Sequence, residues 1–268
     1  MKPTTDLESI VDPFVRGVGG ERVSDLIGNN VQRPNADYLF RRHNVIAELK
    51  SLQADSFREN FRNKMGDLMG KWHRKGRLRV YGTVRVDIDK LPPDCQREVF
   101  DLMAAPLQKH VVAAGNNQIK STKQLLHMPD AKGLLWVASD GNTDLQPEVV
   151  MFLLRRILQK KTAAGEPAFS HLHGLLYFSP RMLTRIPQSP YPTQFWFRYT
   201  RQPNEQMDAC LGELGKYWPQ YLSWAQGINV LEMDGRPTMA KDLRFLGAEK
   251  PMPSIKVSYQ EDGPERPR

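Results

Sequence analysis

Pro34-Asn35-Ala36-Asp37-Tyr38-Leu39-Phe40, then Arg41-Arg42-His43-Asn44, then Val45-Ile46-Ala47-Glu48-Leu49-Lys50-Ser51-Leu52 is the stretch whose reading decides the fold. Asn35 to Phe40 and Val45 to Leu52 have strand-like composition, and the four residues between them are turn formers, so the stretch predicts a β-hairpin. Strand alternation puts Ile46, Glu48, Lys50 and Leu52 on one face of the second strand and Val45, Ala47, Leu49 and Ser51 on the other. Both faces carry apolar residues, as a central strand covered on both sides requires. Glu48 and Lys50 are then charges held partly inside the protein, where an unpaired charge is costly.

The turn sets where Asp37 falls. A two-residue loop of Arg42-His43 places Asp37 opposite Glu48, and a loop of His43-Asn44 places it opposite Lys50. Either register puts all three side chains on one face. Directly opposed Cβ atoms lie about 4.5–5.5 Å apart, so two carboxylates there repel each other, and a bound divalent cation removes the conflict. Two oxygen ligands with positions left for water and phosphate suit Mg²⁺, with Mn²⁺ as a substitute. A Lys50 ammonium beside such a site can polarise an attacking water or stabilise charge growing on a phosphorane. An arbitrary Glu-x-Lys is usually a solvated strand edge, but here apolar residues flank the tripeptide on both sides.

Working outward, Leu7, Ile10, Val11 and Phe14 recur at helical spacing until Gly17-Val18-Gly19-Gly20 ends the pattern. On the other side, Ser56-Phe57-Arg58-Glu59 has capping-box form, and Phe57, Phe61, Leu68 and Trp72 predict an amphipathic helix up to Gly76. Leu78 to Ile88 reads as a strand, Pro92-Pro93 opens a helix through about Ala113, and a further helix covers Gln118 to His127. Gly133 to Ser139, a helix from Pro147 to Lys161 and Gly174 to Ser179 form a β-α-β unit. Gln194 to Thr200 reads as a strand and Glu205 to Trp224 as a helix. From 231 the chain becomes a Pro-rich, charged tail, expected to be partly disordered, beyond a main domain of residues 1–230.

Eight Lys or Arg residues between Ser56 and Arg79, against Glu59 and Asp67, give that segment a net charge of +6. Clustered cations next to a hairpin of this kind suit a phosphate backbone, with Lys71, Arg74 and Lys75 as the candidate contacts. His43, His171 and His173 lack metal-ligand spacing and read as structural, and Phe195-Trp196-Phe197 reads as core.

The chain of 268 residues carries a formal charge of +8, which favours an anionic partner. Its two cysteines, Cys95 and Cys210, form neither a disulfide framework nor a zinc pattern. No signal-peptide core is visible, and the apolar runs fall well short of the roughly 20 residues needed to span a bilayer. A cytoplasmic protein with no membrane partner is the expectation.

Taken together, Pro34-Asn35-Ala36-Asp37 and Glu48-Leu49-Lys50 resemble the motif of the PD-(D/E)XK nuclease superfamily: an acid near a strand start, then Glu or Asp, any residue, and Lys. The order of helix, hairpin, amphipathic helix and later apolar strand is similar to that superfamily's core. The resemblance implies an α/β, restriction-endonuclease-like α-β-β-β-α-β core with a mixed central sheet flanked by helices, plus helical additions. The sequence departs from it where Asn35-Ala36 separates Pro34 from Asp37, and where residues 80–113 read as an insertion before Gln118.

The resemblance further implies that Asp37, Glu48 and the Leu49 carbonyl hold Mg²⁺ or Mn²⁺ while Lys50 assists water attack on a phosphodiester. An acid of the first helix region, Glu8 or Glu21, joins the metal site in related nucleases. Gln118 resembles a helix glutamine near the site of some members, although the tyrosine that often accompanies it is Thr122 here. The expected activity is a metal-dependent nuclease acting on DNA rather than RNA, in DNA processing or anti-phage defence. Its rival is a non-catalytic nucleic-acid-binding or assembly subunit of the same fold, working with protein partners or as a homo-oligomer.

Overall fold

The computed structural model describes residues 7–28, 33–52, 58–78, 83–139, 147–185, 192–226 and 254–258. The chain is α/β, with a six-stranded mixed open sheet flanked by helices. The sheet is built from β1 (Glu21–Arg22), β2 (Tyr38–Phe40), β3 (Val45–Leu52), β5 (Lys132–Ser139), β6 (Gly174–Arg185) and β7 (Pro192–Thr200), in that spatial order. β1, β2 and β3 run antiparallel to their neighbours, β5 and β6 continue parallel to β3, and β7 returns antiparallel to β6. Parallel neighbours need a crossover, and between β3 and β5 it contains several helices.

Those helices cover one face. They are α3 (Arg58–Arg74), α4 (Pro93–Pro106) and α5 (Ala114–Leu125), joined farther along the chain by α6 (Pro147–Leu158). Met65, Met69 and Trp72 of α3 and Val149, Val150, Leu153, Leu154 and Ile157 of α6 bury their stripes in one core with Ile46, Leu52, Leu135 and Val137 of the sheet. The opposite face is covered by α1 (Leu7–Gly17) and α7 (Glu205–Gln226), whose Val11, Phe14, Leu211, Leu214 and Trp218 pack on Tyr38, Val45, Ala47 and Trp136. β3 and β5 are therefore enclosed on both sides, as their apolar runs require.

Three expectations change. The predicted break between a helix ending at Ala113 and another starting at Gln118 does not exist. α4 runs through a π-helical segment, Leu107–Ala113, directly into α5, so part of the segment read as an insertion is continuous with the helix carrying Gln118. β4 spans Thr83–Asp87, residues 79–82 lie outside the described residues, and Ile88 opens a single turn at Ile88–Lys90 that leads to α4 instead of ending the strand. β6 continues to Arg185, with a register irregularity against β7 between Phe178 and Leu183. Ser56, Arg79 and the tail lie outside the described residues, apart from Ser254–Ser258, which forms β8 and pairs antiparallel with β4. Among the described residues no helix is long and apolar enough to cross a membrane.

Candidate active site

The hairpin turn is a 3₁₀ turn at Arg41–His43 closed by Asn44 in the left-handed conformation, with φ 51°. A short polar side chain such as asparagine tolerates that conformation. The resulting register pairs Tyr38 with Ala47 and Phe40 with Val45. Phe40 opposite Val45 is the first of the two registers the sequence allows; the ladder ends at Tyr38, with Asp37 just beyond it.

Asp37 stands just before β2, anchored by its amide to the Ala47 carbonyl at 3.2 Å. Its Oδ2 accepts the Leu49 amide proton at 2.7 Å. Glu48 lies in the middle of β3 and is only 1% exposed. Its Oε1 pairs with Lys50 Nζ at 2.5 Å, while its Oε2 is buried and receives no hydrogen bond. The Asp37 charge bears directly on the Glu48 carboxyl.

Burial, reinforced by the Asp37 charge and only partly offset by Lys50, pushes the Glu48 carboxyl up to about 8. Burial also raises Asp37, against the Leu49 amide and Lys50, which favour its charged form. The pair is thus a buried acid beside a half-buried one, with a single lysine to offset them. The donor set fits a hard divalent ion: two carboxylates meet, and one buried oxygen has no proton donor. Among the described residues no three His, Cys, Asp or Glu side chains gather as a closed cage. An ion here would rest on the two carboxylates together with water and substrate, the manner in which Mg²⁺ is usually held.

Lys50 is fixed from a second direction. Its Nζ donates to Gln118 Oε1 at 2.7 Å, and Gln118 Nε2 donates to the Asn35 carbonyl at 3.1 Å. One turn further along α5, Thr122 Oγ1 accepts the Ala36 amide at 2.7 Å and donates to the Gln118 carbonyl at 2.9 Å. Thr122 therefore ties the Asp37 segment to the helix that orients Lys50. Its hydroxyl serves the backbone at both ends.

Sequence reading missed Gly115. A Cβ at that position would meet Leu135 Cδ1 at 2.8 Å and Glu48 Cγ at 3.5 Å, so glycine is what lets α5 lie this close over Glu48. A Gly-Asn-Asn run reads as a helix stop, which hid its role.

A cavity of about 250 Å³ adjoins Asp37, lined in part by Glu8, Arg22, Asn35 and Tyr38. Glu8 of α1 is therefore the acid that shares this cavity with Asp37, whereas Glu21 pairs with Arg41 at 2.9 Å. Arg22 bridges Asp12 at 2.7 Å and Glu8 at 3.5 Å, and Tyr38 donates to Asp12 at 2.7 Å. That network fixes the wall of the cavity.

The cations of α3 divide. Lys71 is committed to Glu98 at 2.7 Å, where Arg77 at 2.9 Å and the Trp72 indole also converge. Arg74 and Lys75 are exposed and form no ion pair among the described residues. His43 meets Glu213 at 2.6 Å, and the Trp196 ring packs against Trp218 in the core, centroids 5.7 Å apart.

In comparisons with protein-family models, with curated proteins and with solved structures, the chain has no significant match. The reading of the site rests on its own geometry.

Proposed function

We propose that this protein is a divalent-metal-dependent nuclease of PD-(D/E)XK type, with DNA as the first substrate to test. One observation carries the reading: two carboxylates meet in the interior with an oxygen that no donor satisfies, and a lysine is held beside them by a glutamine. A purely structural buried acid would be expected to have its lone pairs satisfied. The element order α1, β1, β2, β3, α5, β5, with β5 parallel to β3, supports the same reading.

Asp37 and Glu48, with the Leu49 carbonyl, would hold Mg²⁺ or Mn²⁺. When bound, such an ion supplies Lewis-acid polarisation of a phosphoryl oxygen and lowers the pKa of a water. The protein supplies the rest. The Leu49 amide fixes the Asp37 carboxylate, so its orientation is set before any ligand arrives. Lys50 has three N–H donors, two of them taken by Glu48 and Gln118, and the third is left for a phosphate oxygen or the attacking water. Gln118 orients that third donor, and Gly115 keeps α5 close enough for it to do so.

A cleavage assay on single- and double-stranded DNA and on RNA, with Mg²⁺, Mn²⁺ or chelator, tests the proposal. Cleavage should require the metal and disappear in Asp37→Asn and Glu48→Gln, which should also lose the rise in Tm that metal gives the wild type. Lys50→Met should lose cleavage but keep much of that rise. A wild type that neither cleaves nor responds thermally to divalent ions would sink the reading.

A further inference from the structure

A second cluster of like charge lies at the start of β5. A Cβ on Gly133 would fall 2.0 Å from the His171 carbonyl oxygen, so glycine is required there for the segment before β6 to cross β5 at backbone contact. The crossing is closed by the His173 amide donating to the Gly133 carbonyl at 2.8 Å and the Gly133 amide donating to His173 Nδ1 at 3.1 Å. It brings His171 and His173 beside Lys123 of α5. Lys132, the first residue of β5, acts on both Lys123 and His173, Lys120 acts on His171, and Arg201 acts on His173.

Lys123 is the unusual member. It is 7% exposed, and among the described residues it makes no hydrogen bond or ion pair. The acid that acts on it, Asp130, is itself exposed and beyond ion-pair distance. Lys120 and Lys132 likewise form no ion pair among the described residues, while Arg201 donates to the Leu158 carbonyl at 2.8 Å. Burial and the surrounding cations push the His173 imidazole down to about 4, so it adds no charge at neutral pH and offers only a ring N–H. The stem of Lys123 is buried while its ammonium reaches solvent, and cations gathered there with no acid at ion-pair distance repel one another, a repulsion that a bound anion relieves.

We infer that Lys120, Lys123 and Lys132, framed by His171 and His173, form an oxyanion site that takes a phosphate group, with Lys123 as its buried anchor. A phosphate has several acceptor oxygens in a compact tetrahedron, and ammonium groups approaching from a helix and a strand satisfy them without a planar fork. The site adds to the nuclease reading a strand contact apart from Asp37 and Glu48, while the phosphate chemistry itself rests on the cluster alone.

The test uses the whole chain, melted in inorganic phosphate and in chloride at matched ionic strength. Phosphate should raise Tm in the wild type and equally in Asp37→Asn, and the rise should vanish in Lys123→Met. For Asp37→Asn binding DNA, adding Lys123→Met should lower the slope of log affinity against log salt by about 1. Should Lys123→Met fail to fold, the Lys120→Met, Lys132→Met double variant carries the test, with the same loss expected. Equal melting in phosphate and chloride, or a full phosphate response in the variants, overturns the site.

The two readings fail separately. A chain that responds to phosphate without cleaving keeps the site and loses the nuclease, and the reverse result keeps the nuclease and loses the site. A single-stranded oligonucleotide that suppresses the phosphate-induced rise identifies strand phosphate as the natural source. A rise that persists with the oligonucleotide bound identifies free phosphate.

Discussion

Around Glu48 the paired strands β3 and β5 hold two acids with one lysine among them, whereas at Lys132, where β5 begins, they hold several cations with one exposed acid nearby. Both clusters contain a group nine-tenths or more buried, Glu48 at 1% exposed and Lys123 at 7%. They differ in how tightly the charge is held. Glu48 sits on β3 and Asp37 just before β2, with Asp37 clamped by the Leu49 amide and Glu48 by Lys50, whose own position is set by Gln118. The ammonium groups end long flexible side chains from α5 and β5, fixed only at their Cα atoms. Rigid oxygens suit an ion that demands near-ideal coordination geometry, and mobile ammoniums suit a phosphate that can turn among several donors.

Glu98 shows what neither cluster is. It is a surface acid met by Lys71, Trp72 and Arg77, and the hydrogen bond from Lys71 comes first among the causes that hold its carboxyl below the usual range. A satisfied acid moves down and a stranded one moves up. The contrast between Glu98 and Glu48 therefore separates a satisfied ion pair from an acid whose burial is only partly compensated.

The strongest way to break the contrast between the two ends of β5 is to loosen the rigid one. Gln118→Leu removes the support of Lys50 without touching either carboxylate. Loss of such an outer partner typically costs about 10- to 100-fold in metal affinity or activity. Cleavage should fall by that factor while the phosphate response at Lys123 stays unchanged, and a variant with wild-type rates would show that Lys50 needs no second anchor.

How much of this was legible in the sequence follows from the range of the contacts. The hairpin and the shared face of Asp37, Glu48 and Lys50 depend on residues close in the chain and on a period of two, so alternation was enough. The choice between registers was not legible, because it rests on Asn44 taking a left-handed conformation at the end of a 3₁₀ turn. The continuous helix was hidden because the π-helical segment at Leu107–Ala113 has a period longer than 3.6, which shifts the apolar pattern before Gly115. Pairing of Lys71 with Glu98 and the gathering of Lys123, Lys132 and His171 join separate elements, and no local pattern announces them.

A smaller perturbation sharpens the same contrast. Gly115→Ala places a methyl 2.8 Å from Leu135 Cδ1 and 3.5 Å from Glu48 Cγ. Overpacking of this kind costs roughly 1–3 kcal/mol, and the better helix propensity of alanine returns up to about 1 kcal/mol. The net loss should be about 1 kcal/mol, read as a fall of about 2–4 °C in Tm for a domain of this size. The group that must move is the Leu135 methyl, on the strand residue paired with Glu48, while Glu48 Cγ stays in ordinary contact, so cleavage should fall only as far as α5 draws Gln118 away from Lys50. A drop in Tm with cleavage intact would confine Gly115 to packing.

The subtlest contrast is a difference in sign between the two clusters. In metal-free protein the folded Glu48 carboxyl titrates near 8, against an ordinary 4.5 in the unfolded chain, so between those values the folded state holds the extra proton. Its contribution to stability is complete below 4.5 and is lost as pH rises through about 8. Lys123 behaves oppositely. Burial lowers its folded value below 10.5, so the unfolded chain holds the extra proton, and stability rises as pH climbs through that window toward 10.5. Tm measured in chelator and chloride should decline as pH rises from about 4.5 through about 8 in the wild type, and that decline should flatten in Glu48→Gln. The rise on the alkaline side should flatten in Lys123→Met alone. Lys123 should give the shallower slope, because its ammonium can reach toward solvent along a flexible stem while Glu48 cannot leave the interior. If Glu48→Gln left that decline unchanged, the carboxyl pair would already be relieved without a cation, and the distinction between the two ends of β5 would fail.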